Sequence, residues 1–323
     1  MREYTVDAKV RVAADARRTS IRLKQAVRGH ERLARTILAT SSLLLACRIA
    51  TDGAHHPAAP RTVLQEAVIA GLDHIPIAVT DLDRAAQRYR ELGFALKQGT
   101  PHANGIRNQH VKFPDGTELE LITAPEERDS LTTKYRRHLR AGDGPAFLAF
   151  YAPALDRVEE GLAATKVGYR RNPGYLAIAD PHPLDYIFFG GRNRSPTDRP
   201  EHFAHENGAE SLIEVWLAGD DLSHERATLE ALGAALTVTE VHVPDRVKAE
   251  VAHLSEGAVV FLPGTRQLVP GRRIVGAALR VASLARVRKV LGVVAQASPS
   301  TATSVFLPPR STHGLWLEFR EAR

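Results

Sequence analysis

Two short runs decide how this 323-residue chain is read: Leu72-Asp73-His74-Ile75-Pro76-Ile77-Ala78-Val79 and Thr117-Glu118-Leu119-Glu120-Leu121-Ile122. The first is apolar enough for a strand and holds one histidine. The second alternates acid with aliphatic residues, the two-residue period of a strand with one polar face. Between them, residues 81–93 read as a helix. Asp81 can accept from an orphan amide, Leu82, Ala85, Ala86, Tyr89 and Leu92 recur at three- and four-residue steps, and Gly93 permits a left-handed exit. Phe113-Pro114-Asp115-Gly116-Thr117 sets Asp-Gly at a hairpin turn just before the acidic strand. A histidine in the first strand and a glutamate in the last can share one face of a small sheet and present a divalent metal there.

The pattern then repeats. First strands start near Leu72, Ala146, Glu210 and Ile274, and each leads into a helical stretch, at 81–93, 154–168, 221–233 and 283–292. Ser255-Glu256-Gly257 and Thr312-His313-Gly314 stand where the hairpin turn stands in the first copy. The expected fold class is α+β: four βαβββ modules making two cupped mixed sheets, behind a helical leader. The expected domains are a leader and linker over 1–60, modules one and two over 71–200, and modules three and four over 205–323. A polar insert over 126–143, helical around 131–139, joins the first two modules.

The formal charge of +6 invites a nucleic-acid reading until it is located. Residues 1–50 hold eleven Lys and Arg against four acids, a balance of +7, so the remaining chain sums to −1. A near-neutral body disfavours nucleic acid as a partner. The single cysteine, Cys47, excludes an internal disulfide framework and a CxxC-type zinc site. It follows a basic segment, an apolar segment and Leu44-Leu45-Ala46, an order that resembles a bacterial lipoprotein signal. That resemblance implies lipidation at Cys47, membrane anchoring and an extracytoplasmic location. A tethered amphipathic helix on a cytoplasmic protein is the alternative.

The first half resembles the vicinal oxygen chelate superfamily and, within it, the glyoxalase-like domain proteins. The residues carrying this are Leu72-Asp73-His74-Ile75, Asp81-Leu82-Asp83, Leu92-Gly93-Phe94 and Asp115-Gly116-Thr117-Glu118-Leu119-Glu120-Leu121. Pro101-His102-Ala103-Asn104-Gly105-Ile106-Arg107-Asn108 and His205-Glu206-Asn207-Gly208-Ala209 fit the glyoxalase-like subgroup. The resemblance is good over 71–235 and weaker beyond. It implies a divalent metal bound by first- and last-strand side chains, with Mn, Fe, Mg, Zn or Ni all compatible with oxygen-rich ligation.

Carried over residue by residue, the resemblance assigns metal ligation to His74 and Glu120. The second module holds Phe147 and Phe188 at the matching places, and the third offers Glu214 and Phe261. The fourth offers Glu318, so pairing module one with module four would build a His74/Glu120/Glu318 site; the alternative is that His110, alternating with Asn108 and Lys112 along one strand face, completes a site in the first cup. Glu120 or Glu318 would serve as general base in an enediolate-type proton transfer on a small oxygen-chelating substrate. His102, Asn108, His110 and His205 would bind or orient that substrate. The enzyme implied is a lyase or isomerase of the glyoxalase type. An extradiol-type dioxygenase and a non-catalytic sequestering protein on the same scaffold are the alternatives, and a homodimer is open.

Overall fold

The computed structural model describes residues 67–321; Cys47 and the leader lie outside the described residues. The first module runs β1 (Gly71–Ala78), α1 (Leu82–Glu91), β2 (Lys97–Gln98), β3 (Arg107–Lys112) and β4 (Glu118–Thr123). Asp81 caps α1 by accepting from the Arg84 amide at 3.0 Å. The Asp115-Gly116 turn forms between β3 and β4, with Gly116 at φ +93, a conformation that favours glycine. After α2 (Ser130–Leu139) and the two-residue β5 (Gly144–Pro145) comes the second module. It consists of β6 (Leu148–Tyr151), α3 (Leu155–Ala164), β7 (Tyr169–Asn172), β8 (Tyr175–Ile178) and β9 (Ile187–Gly190).

The second half repeats the plan, except that its last module has one strand fewer than the expected βαβββ among the described residues. Its third module is β10 (Ala209–Gly219), α4 (Ser223–Ala231), β11 (Ala235–His242), β12 (Arg246–His253) and β13 (Ala258–Pro263). Its fourth is β14 (Ile274–Val281), α5 (Leu284–Leu291), α6 (Val293–Gln296), β15 (Ser304–Leu307) and β16 (Trp316–Glu321). The first sheet has the order β2-β3-β4-β1-β6-β9-β8-β7, with β5 on β1, and the second β11-β12-β13-β10-β14-β16-β15. Within a module the first strand lies parallel to the last, as β1 does to β4. Modules join antiparallel through their first strands, β1 on β6 and β10 on β14.

This is the expected α+β architecture; module one pairs with two and three with four, not one with four as a His74/Glu120/Glu318 site would need. The reason is in the ladders: β1 takes β6 as its neighbour, while β14 takes β10 and β16. Glu318, on β16, therefore belongs to the other sheet from His74.

Strand alternation then sorts the side chains. Ile75, Ile77, Leu119 and Leu121 of the first sheet join Val215, Leu217, Leu279 and Phe319 of the second in one apolar core that includes Leu82, Tyr89, Leu284 and Val287 of the helices. Each fully buried Leu, Ile or Phe contributes about 1.5–3 kcal/mol. This common core commits the alternate residues of both sheets, His74 and Glu120 among them, to the opposite, concave faces.

The insert has a role that its sequence position does not show. Asp129 and Thr132 cap α2 reciprocally, and Tyr135 buries itself with Ala78, Ile106, Ile122 and Ala124. Ala78 follows His74 by four residues and Ile122 follows Glu120 by two, on the same strand faces. The helix lies over the concave face, as a roof one step above the histidine and the glutamate.

Candidate active site in the first cup

A β-bulge sets the centre. Between Leu72 and His74, β1 advances two residues while β6 advances one, from Phe150 to Ala149. The irregularity re-aims the chain, so the adjacent Asp73 and His74 side chains meet, with His74 Nδ1 2.6 Å from Asp73 Oδ2. The other ring nitrogen, Nε2, lies 3.7 Å from Glu120 Oε2. Asn108 on β3 donates to Glu120 Oε1 at 2.5 Å. It fits against β2 only because residue 99 is glycine: a Cβ there would stand 1.7 Å from Asn108 Oδ1. His74, Glu120 and Asn108 are all nearly buried.

Burial alone would lower the His74 pKa. The Asp73 hydrogen bond and the charges of Asp73, Glu118 and Glu120 outweigh it and push the imidazole up to about 9. At neutral pH the centre is thus an imidazolium held between two carboxylates.

A second polar layer lies toward β3. Glu118, wholly buried, meets His110 Nδ1 at 2.9 Å and accepts from Asn193 Nδ2 at 2.8 Å, with Lys112 Nζ 3.4 Å away. Burial opposes its ionisation, yet His110, His74 and Lys112 hold its carboxyl below the usual range. Lys97 and Lys112 both reach Asp198, at 2.5 and 3.2 Å. These contacts strap the arm after β9 across the edge of the sheet. Arg192 from the same arm donates to the Leu72 carbonyl and lies 4.5 Å over the Tyr151 ring.

The opposite wall is aromatic. The Phe188 ring stands edge-on to His74 at 5.3 Å and to Tyr175 at 6.2 Å, and Phe147 meets Tyr135 of the roof at 5.1 Å. Burial and the nearby Glu120 charge raise the Tyr135 phenol well above its ordinary pKa.

Does this set fit a divalent ion of the kind the sequence resemblance implies? His74 Nε2 and Glu120 Oε2 are two suitable donors, and the Asp73–His74 contact is the orientation a metal-bound histidine usually has. The positions that should complete the shell are filled otherwise. Ala149 pairs with His74 and with Phe188, whose ring faces the imidazole, and Glu120 Oε1 is taken by Asn108. No group of three or more His, Cys, Asp or Glu placed to hold a metal occurs among the described residues. The residues present do not fit a resident metal.

The remaining sequence candidates divide. Asn108 is at the centre, and His110 sits one layer away on Glu118. His102 is exposed on the loop before β3. His205 is a brace: it accepts from the Ala95 amide at 3.0 Å, meets the Lys112 carbonyl at 2.9 Å, and packs edge-on against Phe94 and Phe113. Burial lowers its pKa to about 4, which keeps the imidazole neutral. Glu318 is buried in the second cup, where it accepts from Ser304 at 2.5 Å and binds Arg320 at 2.5 Å. Arg320 also grips Glu214, at 3.0 and 3.1 Å. A guanidinium clamped by two carboxylates leaves Glu318 nothing to offer His74. Asp73 and Tyr135 are the site residues that sequence reasoning passed over. Only the direct adjacency of Asp73 to His74 hinted at either.

Comparison with known proteins agrees with this fold. A model of a glyoxalase-like domain matches residues 72–233, half of the chain. No curated protein matches. Among solved structures, a hypothetical protein from Staphylococcus aureus aligns over 78% of this chain and 99% of its own, at 13% identity and a TM-score of 0.54. A catechol 2,3-dioxygenase aligns over 79% and 89% (12% identity, TM-score 0.56), and a variant of 4-hydroxymandelate synthase from Streptomyces coelicolor over 79% and 94% (14% identity, TM-score 0.55). At such identities the likeness is one of fold. Family match and architecture together identify the chain as a member of the glyoxalase-like domain family, in the vicinal oxygen chelate superfamily.

Proposed function

We propose that the first cup binds a small molecule with an enolisable carbonyl and moves a carbon-bound proton on it without a resident metal. The observation that carries this is the facing of His74 and Glu120 across 3.7 Å on the concave face. Glu120 Oε2 would take the proton from the carbon beside the carbonyl. The electrons of the broken C–H bond pass to the carbonyl oxygen, where the His74 Nε2–H donates to the developing enolate. Asn108 and Asp73 act by position, one holding the carboxylate and the other the ring. A placed general base is worth about 10²–10⁴ in rate, and a charged donor at the oxyanion about 10²–10³. The metal-dependent enediolate chemistry implied by the superfamily needs a third protein donor, and Phe188 stands against His74 where the second module would supply one.

The direct test is exchange of carbon-bound hydrogen for deuterium in glycolaldehyde, dihydroxyacetone and phenylglyoxal hydrate analogues bearing an enolisable C–H. Exchange above buffer background with the wild type, lost in Glu120→Gln and in His74→Gln, supports the reading. Background rates throughout, or an unaffected Glu120→Gln, would sink it.

The aromatic wall of Phe188, Tyr175 and Phe147 favours a second reading, a cup that sequesters a small ring compound without turnover. Tight binding of such a compound with no exchange and no product separates it from the first.

A further inference from the structure

We propose that the Tyr135–Phe147 pair is the size-selecting gate of the first cup, and that ligands reach His74 by way of the cleft outside it. The inference rests on the reading of that cup as a ligand site, and its observations are separate ones. His74 and Glu120 are only 9% and 8% exposed, so a ligand needs an opening. The arm after β9 is strapped down by the Asp198 ion pairs with Lys97 and Lys112 and by Asn193 on Glu118, which makes that end a poor door.

The roof end is different. Tyr135 is the residue by which α2 closes on the strands, its ring buried against Ala78, Ile106, Ile122 and Ala124. Its ring partner Phe147 is two residues before Ala149, the neighbour of His74, and is itself half-buried. Beyond Phe147 opens a cleft of about 790 Å³, lined also by Lys134, Arg137, His138 and Arg272. A second cavity of about 420 Å³ flanks the other side of α2 at Arg136, Leu139 and Arg140. A helix with space on both flanks and one buried aromatic beneath can tilt at small cost in apolar contact. Its C-terminal end is the fixed point: Arg272 donates to the carbonyls of His138, Gly142 and Asp143 at 2.6, 2.7 and 2.8 Å. Phe147 at the cleft wall, with the Tyr135 ring against it, would set the width of what passes to the imidazole.

The test follows modification of His74 at about pH 9.5, where its ring is largely uncharged and nucleophilic, with diethyl pyrocarbonate and with the bulkier p-bromophenacyl bromide, mapped by mass spectrometry. It needs no turnover, so loss of the catalytic reading and loss of the gate show up separately. Phe147→Ala is expected to speed both reactions, the bulkier one by about tenfold or more, as for removal of a gating side chain. Arg272→Gln lines no part of the cup and should speed both by freeing the end of α2, which keeps the test alive if Phe147→Ala folds poorly. Asp198→Asn should leave both rates alone. Unchanged rates in Phe147→Ala and Arg272→Gln would overturn the gate, as would acceleration by Asp198→Asn in their place.

Discussion

His74 presents one ring nitrogen to Asp73 at 2.6 Å and the other to Glu120 at 3.7 Å. Such a ring gains more from being charged than burial costs it, and its pKa rises from 6.5 to about 9. A folded-state pKa above the unfolded one adds stability that is complete below about pH 6.5 and disappears as pH climbs to about 9. The contribution is on the order of 3 kcal/mol. Urea unfolding at pH 6, 7.5 and 9.5 should show the decline in the wild type and a flatter profile in His74→Gln. Equal slopes in the two proteins would mean that the ring is not charged in the fold.

The shortfall of metal donors makes a sharp prediction about Phe188. Its ring centroid is 5.3 Å from that of His74, on the strand where the second module would present a ligand. Phe188→His should convert two donors into three and raise affinity for Zn or Ni by about 100-fold or more over the wild type, measured by titration calorimetry on untagged protein. Removing His74 in that background should abolish the gain. Stoichiometric tight binding by the wild type would show that the cup recruits a donor from elsewhere.

The module frame is legible in the sequence because its signals are local: the apolar period of α1, the Asp81 cap, the Asp115-Gly116 turn. Module pairing is not local. It is decided by which first strands meet edge to edge, and β1 and β14 carry no residue pattern that forbids their pairing. His74 and Glu120 were readable as inward-facing from alternation alone, whereas Asp73 joins them only through a bulge that alternation hides. His205 shows the converse difficulty. A histidine bracing two backbone groups and a histidine awaiting a substrate are the same letter beside the same glycines.

That reassignment of His205 can be tested. His205→Phe keeps the packing against Phe94 and Phe113 but orphans the Ala95 amide and the Lys112 carbonyl, at a cost of about 1–3 kcal/mol. Because burial depresses its pKa to about 4, the neutral ring supports the fold above pH 6.5 and its contribution is lost as pH falls toward 4. The variant should therefore lose stability at pH 7 and lie closer to the wild type at pH 4, read by thermal unfolding. A ligand that binds the wild-type cup should bind the variant equally well. Lost affinity at unchanged stability would return His205 to the site.

The second cup offers the clearest contrast with the first. Glu214 and Glu318 are buried and Arg320 binds both, its pKa raised above an already high value because two carboxylates outweigh the cost of burial. Removing the guanidinium alone, as in Arg320→Met, leaves two mostly buried like charges without their counter-ion and should cost up to about 3–5 kcal/mol, less where solvent reaches the cleft they line. Replacing all three together, Glu214→Leu, Arg320→Met and Glu318→Leu, should restore much of that loss, since an apolar trio carries no desolvation penalty. Neither change should alter hydrogen exchange in the first cup or the reactivity of His74. A stable Arg320→Met protein with an impaired first cup would reverse the assignment, making the clamp part of the working site rather than its counterpart in the other sheet.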